Sequence, residues 1–332
     1  MKGLDVLVWR VLRAALLAPL LWLACSASAQ TLGFPTPVDV HVTPRGGKAV
    51  KVVSPQPGAA DIAMPAMYYP ASDKSRGAVV IVNAGEGWTD AREGQYARAL
   101  RSAGYAVLAI DSYGPRGLSS TVADNARLAV QVQLRDALAA RQFLLDQGHP
   151  ADRVAIMGSG RGGTIALLAA DRAFVHDEGD SFKLAIAIAP ICIFHPKAPQ
   201  PAARLFMALG DQDDVAGGNL CRDFASDFLR AGGQVELRAY RGASGDFDGH
   251  PKQVRQLRDP FVEVFSACRV PVDADGTAEM GERRFAERDY PALIAEMRKR
   301  CMGHGAISWT NLTQKANVTI NVIEFLDLNF RR

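Results

Sequence analysis

The sequence predicts an α/β protein whose doubly wound, mostly parallel sheet carries helices on both faces. Short aliphatic runs recur at Ala78–Val82, Ala106–Ile110, Val154–Met157, Leu184–Ala189, Leu205–Leu209 and Val235–Tyr240. Most are apolar without alternation, as strands covered on both faces are. Between them lie helical stretches near Asp90–Ala103, Thr121–Gln147, Gly162–Arg172, Leu220–Ala231 and Gln314–Leu328. Such alternation of strand and helix implies a parallel sheet. In the second stretch Val130, Leu134, Leu138 and Leu145 fall on one stripe, and Gly104 and Gly148 stand where helix C-caps belong.

The elements follow in order. Residues 1–29 read as a secretory leader rather than as structure. Lys2, Arg10 and Arg13 give a basic start, an apolar run fills Ala14–Ala24, and Ala27-Ser28-Ala29 offers small residues for cleavage before Gln30. The run is short for a bilayer crossing. Cys25 raises the question of lipidation, but Trp22 and Leu23 before it suit that signal poorly. Residues 30–76, rich in proline and turns, predict leading antiparallel strands. The strand–helix core follows, and residues 259–305 predict an insertion before the last helix. With no internal repeat or linker, residues 30–332 are expected to form one domain.

The 332 residues carry a formal charge of +3, so no strong field argues for nucleic acid or an anionic membrane. Removing the leader leaves 35 basic against 34 acidic side chains, about +1, and four cysteines: Cys192, Cys221, Cys268 and Cys301. An even count in an oxidising compartment favours two disulfides, with three connectivities open. The expected location is secreted or periplasmic. No Cys/His spacing suggests zinc, and no cofactor is expected.

In a parallel sheet the chemistry gathers at the carboxyl ends of the strands. Here those ends read NAGEG after Val82, DSYGPRG after Ile110, GSGRGG after Met157, GDQDD after Leu209 and RGASGDFDGH after Tyr240. GSGRGG is a poor dinucleotide loop, because the first acidic residue after Gly163 is Asp171, well short of the expected spacing of about 20 positions, and it is not the first βα turn. Together these strings resemble the dienelactone hydrolase family of the α/β-hydrolases over roughly residues 60–255 and again in the last helix. GYAVLAIDSYGPRG (Gly104–Gly117) is the most specific of them. The resemblance implies an α/β-hydrolase fold with a nucleophile elbow at VAIMGSGRGG, an acid loop at GDQDD and a histidine loop at YRGASGDFD.

The elbow demands small residues two before and two after the nucleophile. Placing Gly160 at the apex puts Gly158 and Gly162 on the flanks, whereas placing Ser159 there puts Met157 and Arg161 on them. The apex is therefore Gly160, which has no attacking oxygen. The family's histidine loop matches at Tyr240, Gly242, Ala243, Phe247 and Asp248, but Gly245 fills the histidine position. Of the three triad positions only the acid, Asp213, remains, and a hydroxyl without a base is a poor nucleophile.

Two functional readings follow. One is a non-catalytic scaffold binding a small ester, lactone or carboxylate, or a protein. The other is a rebuilt carboxylic-ester or lactone hydrolase using Ser159, His250 and Asp213, with His195 a weaker base. His41, His149, His176 and His304 are assigned no role. The resemblance implies an oxyanion hole from the main-chain N–H groups of Gly85 (or Ala84) and Arg161, which outlast side-chain changes. Arg116 and Arg161 either add positive charge there or are structural, Arg116 tied to loop carbonyls or carboxylates and Arg161 solvated. The resemblance also implies Cys192–Cys221 beside the pocket and Cys268–Cys301 across the insertion.

Overall fold

The central sheet is built by eight strands that run through the middle of the molecule. The computed structural model describes residues 42–72, 74–175, 179 and 181–330. The leader, His41 and His176 lie outside them. In chain order the strands of the central sheet are β1 (Lys48–Ser54), β2 (Ile62–Tyr69), β3 (Ala78–Val82), β4 (Ala106–Ile110), β5 (Val154–Ser159), β6 (Leu184–Ile188), β8 (Arg204–Gly210) and β9 (Val235–Tyr240), while β7 (Phe194–Pro196), between β6 and β8 in the chain, lies outside this sheet. The main helices are α1 (Gln95–Ser102), α2 (Val130–Asp146), α3 (Arg161–Ala169), α4 (Gly218–Arg230), α5 (Tyr290–Arg300) and α6 (Leu312–Phe330).

The sheet order is β1-β2-β4-β3-β5-β6-β8-β9. β2 runs antiparallel to both neighbours, and the strands from β4 to β9 pair in parallel. This is the α/β-hydrolase arrangement. It brings the carboxyl ends of β3, β5, β8 and β9 to one edge, so the unusual loops share one rim.

Two apolar layers cover the sheet. On one face Val80, Ile156 and Leu205 pack with Leu134 and Leu144 of α2, Ile165 of α3 and Phe224 of α4. On the other, Ile81, Met157 and Phe206 pack with Leu100 of α1 and Val318, Val322 and Phe325 of α6. Strand alternation assigns the faces: along β5, Ala155 and Met157 face α1 and α6, while Ile156 faces α2 and α3.

The expected helix over Thr121–Gln147 begins later, at Val130. Asn125 is held by its amide and side-chain nitrogens on Glu263 Oε2, at 2.8 and 3.0 Å, so tertiary bonds keep residues 118–129 as a loop. The buried stripe also differs from the expected one. Leu138 and Leu145 are only partly buried, whereas Asp136 and Arg141 are inside. Asp136 is buried because Arg116 grips it with two nitrogens, at 2.8 and 2.9 Å, and Ser54 Oγ donates to it at 2.6 Å.

The segment between β9 and α6 folds around β10 (Leu257–Val264), β11 (Val270–Val272), β12 (Ala278–Met280), β13 (Arg283–Phe285) and β14 (Gly303–Ser308), together with α5. β11 pairs in parallel with β7, tying this segment to the main body. Disulfides join Cys192 to Cys221 and Cys268 to Cys301. The second bridge closes a loop of 33 residues. Replacing Cys268 and Cys301 together by serine should lower unfolding free energy by about 3 kcal/mol, read by urea denaturation of the unreduced protein.

Candidate functional site

The turn between β5 and α3 is built by three glycines. A Cβ on Gly158 would stand 2.3 Å from the Gly162 carbonyl carbon, and one on Gly162 would stand 2.5 Å from Val82 O. No side chain fits at either position. Gly160 between them adopts φ 53° and ψ −118°, a conformation that costs an L-residue strain and glycine none. Its own Cβ direction is open, with no atom within 4 Å. Gly160 N donates to Ile188 O at 2.8 Å, which pins the apex to the end of β6. There Ala189 is itself at φ 42°.

Gly160 thus occupies the apex. Ser159 points elsewhere, as its place in β5 requires. It lies on the α1/α6 face, nine-tenths buried, and its Oγ donates to Asp248 Oδ2. Tyr96 OH donates to the same oxygen at 2.9 Å.

Backbone donors beside the apex are present. Gly85 lies close to the start of α3, its Cβ direction 4.0 Å from Arg161 Cβ, and Arg161 N belongs to a first helical turn, which has no acceptor within the helix. Ala84 N is committed to Glu93 Oε1 at 3.2 Å, so Gly85 is the donor that remains. The Arg161 side chain is neither solvated nor poised over the apex. It is buried under the 118–129 loop, with Nε on Gln133 Oε1 and Nη1 on Asn125 Oδ1, both at 2.9 Å, and Nη2 on Leu128 O. Arg116 is structural too, held on Asp136 and on Ser112 O at 2.6 Å.

Asp213 sits after β8, and its Oδ1 accepts from Val215 N and Ala216 N at 2.9 and 3.1 Å. Burial pushes its pKa up to about 6, against the pull of those two amides. Gly245 faces it directly: a Cβ there would be 2.6 Å from Asp213 Oδ1. The loop has closed onto the acid at the position where the sequence pattern sets a histidine. His250 stands in a turn, where its Nδ1 accepts from Lys252 N at 3.1 Å. His195 lies in β7, buried against Phe224, with Nδ1 3.6 Å from Asp227 Oδ2, and burial lowers its pKa. His149 bonds Tyr68 OH at 3.1 Å, and His304 is exposed in β14.

Sequence reasoning missed a buried ionic cluster under the elbow. Arg92 is 6 % exposed. Its guanidinium meets Glu86 at 2.9 Å, Asp248 at 3.3 Å, and Asp246. Burial opposes its charge, but Glu86, Asp248 and Glu93 together drive its pKa upward. Glu93 accepts from Thr89 N at 2.8 Å, and burial raises its pKa. Lys315 Nζ donates to Ala91 O and Gly249 O at 2.7 and 2.6 Å, and burial brings its pKa down to about 8. The signal in the sequence was TDAREG ahead of α1, a dense run of charge at a strand end. Its distant partners, Asp246, Asp248 and Lys315, stand more than 150 positions away.

Strand order, the antiparallel β2 and the glycine elbow decide the architecture. The chain has the α/β-hydrolase fold. A family model described as serine aminopeptidase, S33, matches residues 73–212. No curated protein matches the chain. Among solved structures, one named as a dienelactone hydrolase from Klebsiella pneumoniae is similar at 18% identity, with 60% of this chain and 87% of that one covered and a TM-score of 0.48. The apo form of Thermogutta terrifontis esterase 2 is similar at 19%, with coverages of 61% and 86% and a TM-score of 0.47. A puromycin-hydrolyzing peptidase of Mycobacterium tuberculosis is similar at 19%, with coverages of 61% and 37% and a TM-score of 0.47.

Three substitutions at this site have expected effects on stability. The folded state holds a proton on Asp213 between pH of about 4 and 6 that the unfolded chain has released, so stability falls as pH rises through that window. Asp213→Asn should flatten that slope and raise unfolding free energy at neutral pH by on the order of 2 kcal/mol. Ser159→Ala should cost only about 1 kcal/mol, while Asp248→Ala, which strips Arg92 of a buried counter-charge, should cost about 3–5 kcal/mol. Urea denaturation across pH measures all three.

Proposed function

We propose that this chain is an exported α/β-hydrolase-fold protein, related in design to dienelactone hydrolases, that binds a small ester, lactone or carboxylate without running triad chemistry. The observation that carries the reading is Gly160, at φ 53° and ψ −118° on the apex where an attacking oxygen would have to stand. Acyl transfer by this fold needs that oxygen and a base to take its proton. Gly245 offers no base, and Asp213 without an imidazole has nothing to orient. Reactivity at Ser159 is disfavoured because its hydroxyl already donates to a buried carboxylate on the far face of the strand.

What remains suits binding. Gly85 N and Arg161 N stand beside an open apex, and main-chain donors at a helix start attract a carbonyl or carboxylate oxygen whether or not chemistry follows. Export is supported by the leader-like first 29 residues and by two disulfides, which persist in oxidising compartments. Among the described residues no helix is long and apolar enough to cross a membrane.

Restoring the missing groups tests the proposal. Gly160→Ser places a hydroxyl in open space at a cost of about 1–3 kcal/mol for its strained backbone. Gly245→His requires the Asp213 carboxylate to rotate away. The double variant should hydrolyse short p-nitrophenyl esters at least about 100-fold faster than the wild-type chain, with little gain from either change alone. Turnover by the wild-type protein that Ser159→Ala abolishes would overturn the reading.

A further inference from the structure

β9 forms one edge of the main sheet. β9 pairs with β8 on one side and, among the described residues, with no strand on the other. Two grooves flank this edge. One lies between Arg238, Tyr240 and the α6 residues Asn317, Ile320 and Asn321. The other lies between Gln234, Glu236 and the α6 residues Phe325, Leu328 and Asn329. α6 therefore runs antiparallel to β9, and Leu237 stands level with the middle of the helix, around residues 322–324. Ile320 and Leu328, apolar side chains 55% and 58% exposed, lie on either side of that level.

We propose that two copies of this chain associate about a two-fold axis at Leu237, pairing β9 antiparallel with β9 of the second copy and α6 alongside its α6.

Both elements are self-complementary about the same point. An antiparallel pairing centred on Leu237 sets Glu236 of each copy opposite Arg238 of the other, and Val235 opposite Ala239. A helix pairing centred on residue 324 sets Ile320 of each copy opposite Leu328 of the other. Opposite charges directly across a strand pair stabilise it and like charges do the reverse. Isologous interfaces require such a match of a patch with itself.

Glu236 and Arg238 lie on the α6 face, because Arg238 covers the Phe206 ring at 5.9 Å and Phe206 packs on Phe325 at 5.5 Å. In one copy they pair with each other at 2.7 Å while remaining 36% and 41% exposed, so each can take a second partner across the axis. An edge strand left to solvent is ordinarily protected by charge, and here the signs alternate in the one register that turns protection into recognition. Glu324 falls on the axis and would face its copy, so it opposes association.

Sedimentation of the purified full-length protein over about 0.1 to 100 μM tests this. The expected result is a dimer at the upper end. Arg238→Glu, which sets glutamates opposite glutamates, should weaken it at least about tenfold. Glu236→Arg combined with Arg238→Glu restores the alternation and should recover the dimer, and Glu324→Gln should tighten it. A monomer throughout the series overturns the proposal. So does an Arg238→Glu variant that associates like the wild type, or a swapped pair that fails to recover association while its thermal unfolding matches the wild type.

Discussion

A Cβ on Gly158 or Gly162 would penetrate backbone atoms, at 2.3 and 2.5 Å respectively, and this absence of volume governs the whole rim of the sheet. It fixes which residue stands at the apex between β5 and α3. Any shift of one position would force Met157 and Arg161 into spaces that hold only hydrogen. The same crowding lets α3 start hard against β3 and β6, with Gly160 N on Ile188 O, so Arg161 N and Gly85 come together without help from any side chain. Glycine at the apex keeps the bend and removes the reagent.

Charge around the bend follows a consistent logic. Asp213 keeps its two amide donors, and burial moves its carboxyl toward the neutral form against their pull. Beneath the elbow the reverse holds. Arg92, Asp248, Glu93 and Lys315 are buried as a compensated set, each bound to an opposite charge or to several dipoles. Buried ions of this kind are costly one at a time and tolerable as a network. Ser159 has been drawn into that network, and its hydroxyl serves as a donor to a carboxylate.

Much of this was legible in the sequence. The strand positions follow from unbroken aliphatic runs, and the elbow register follows from sterics alone, since only one alignment leaves small flanks. The glycine at position 245 could be read because five neighbours hold the loop pattern. The start of α2 was not legible: periodicity extends the helix toward Thr121, but Glu263 and Arg161 capture Asn125 and keep the chain open. Its buried face was misread for a related reason. Asp136 looks like a solvent residue until Arg116, twenty positions earlier, is seen to neutralise it. The ionic cluster under the elbow joins Arg92 to Asp248 and Lys315, and no local pattern announces contacts across such separations.

Intact mass spectrometry of the wild-type protein after exposure to a fluorophosphonate tests most directly whether the bend carries a nucleophile. An unchanged mass is expected, because the reagent meets a methylene at the apex and the Ser159 hydroxyl is engaged by Asp248. A stoichiometric adduct mapping to Ser159 would contradict it.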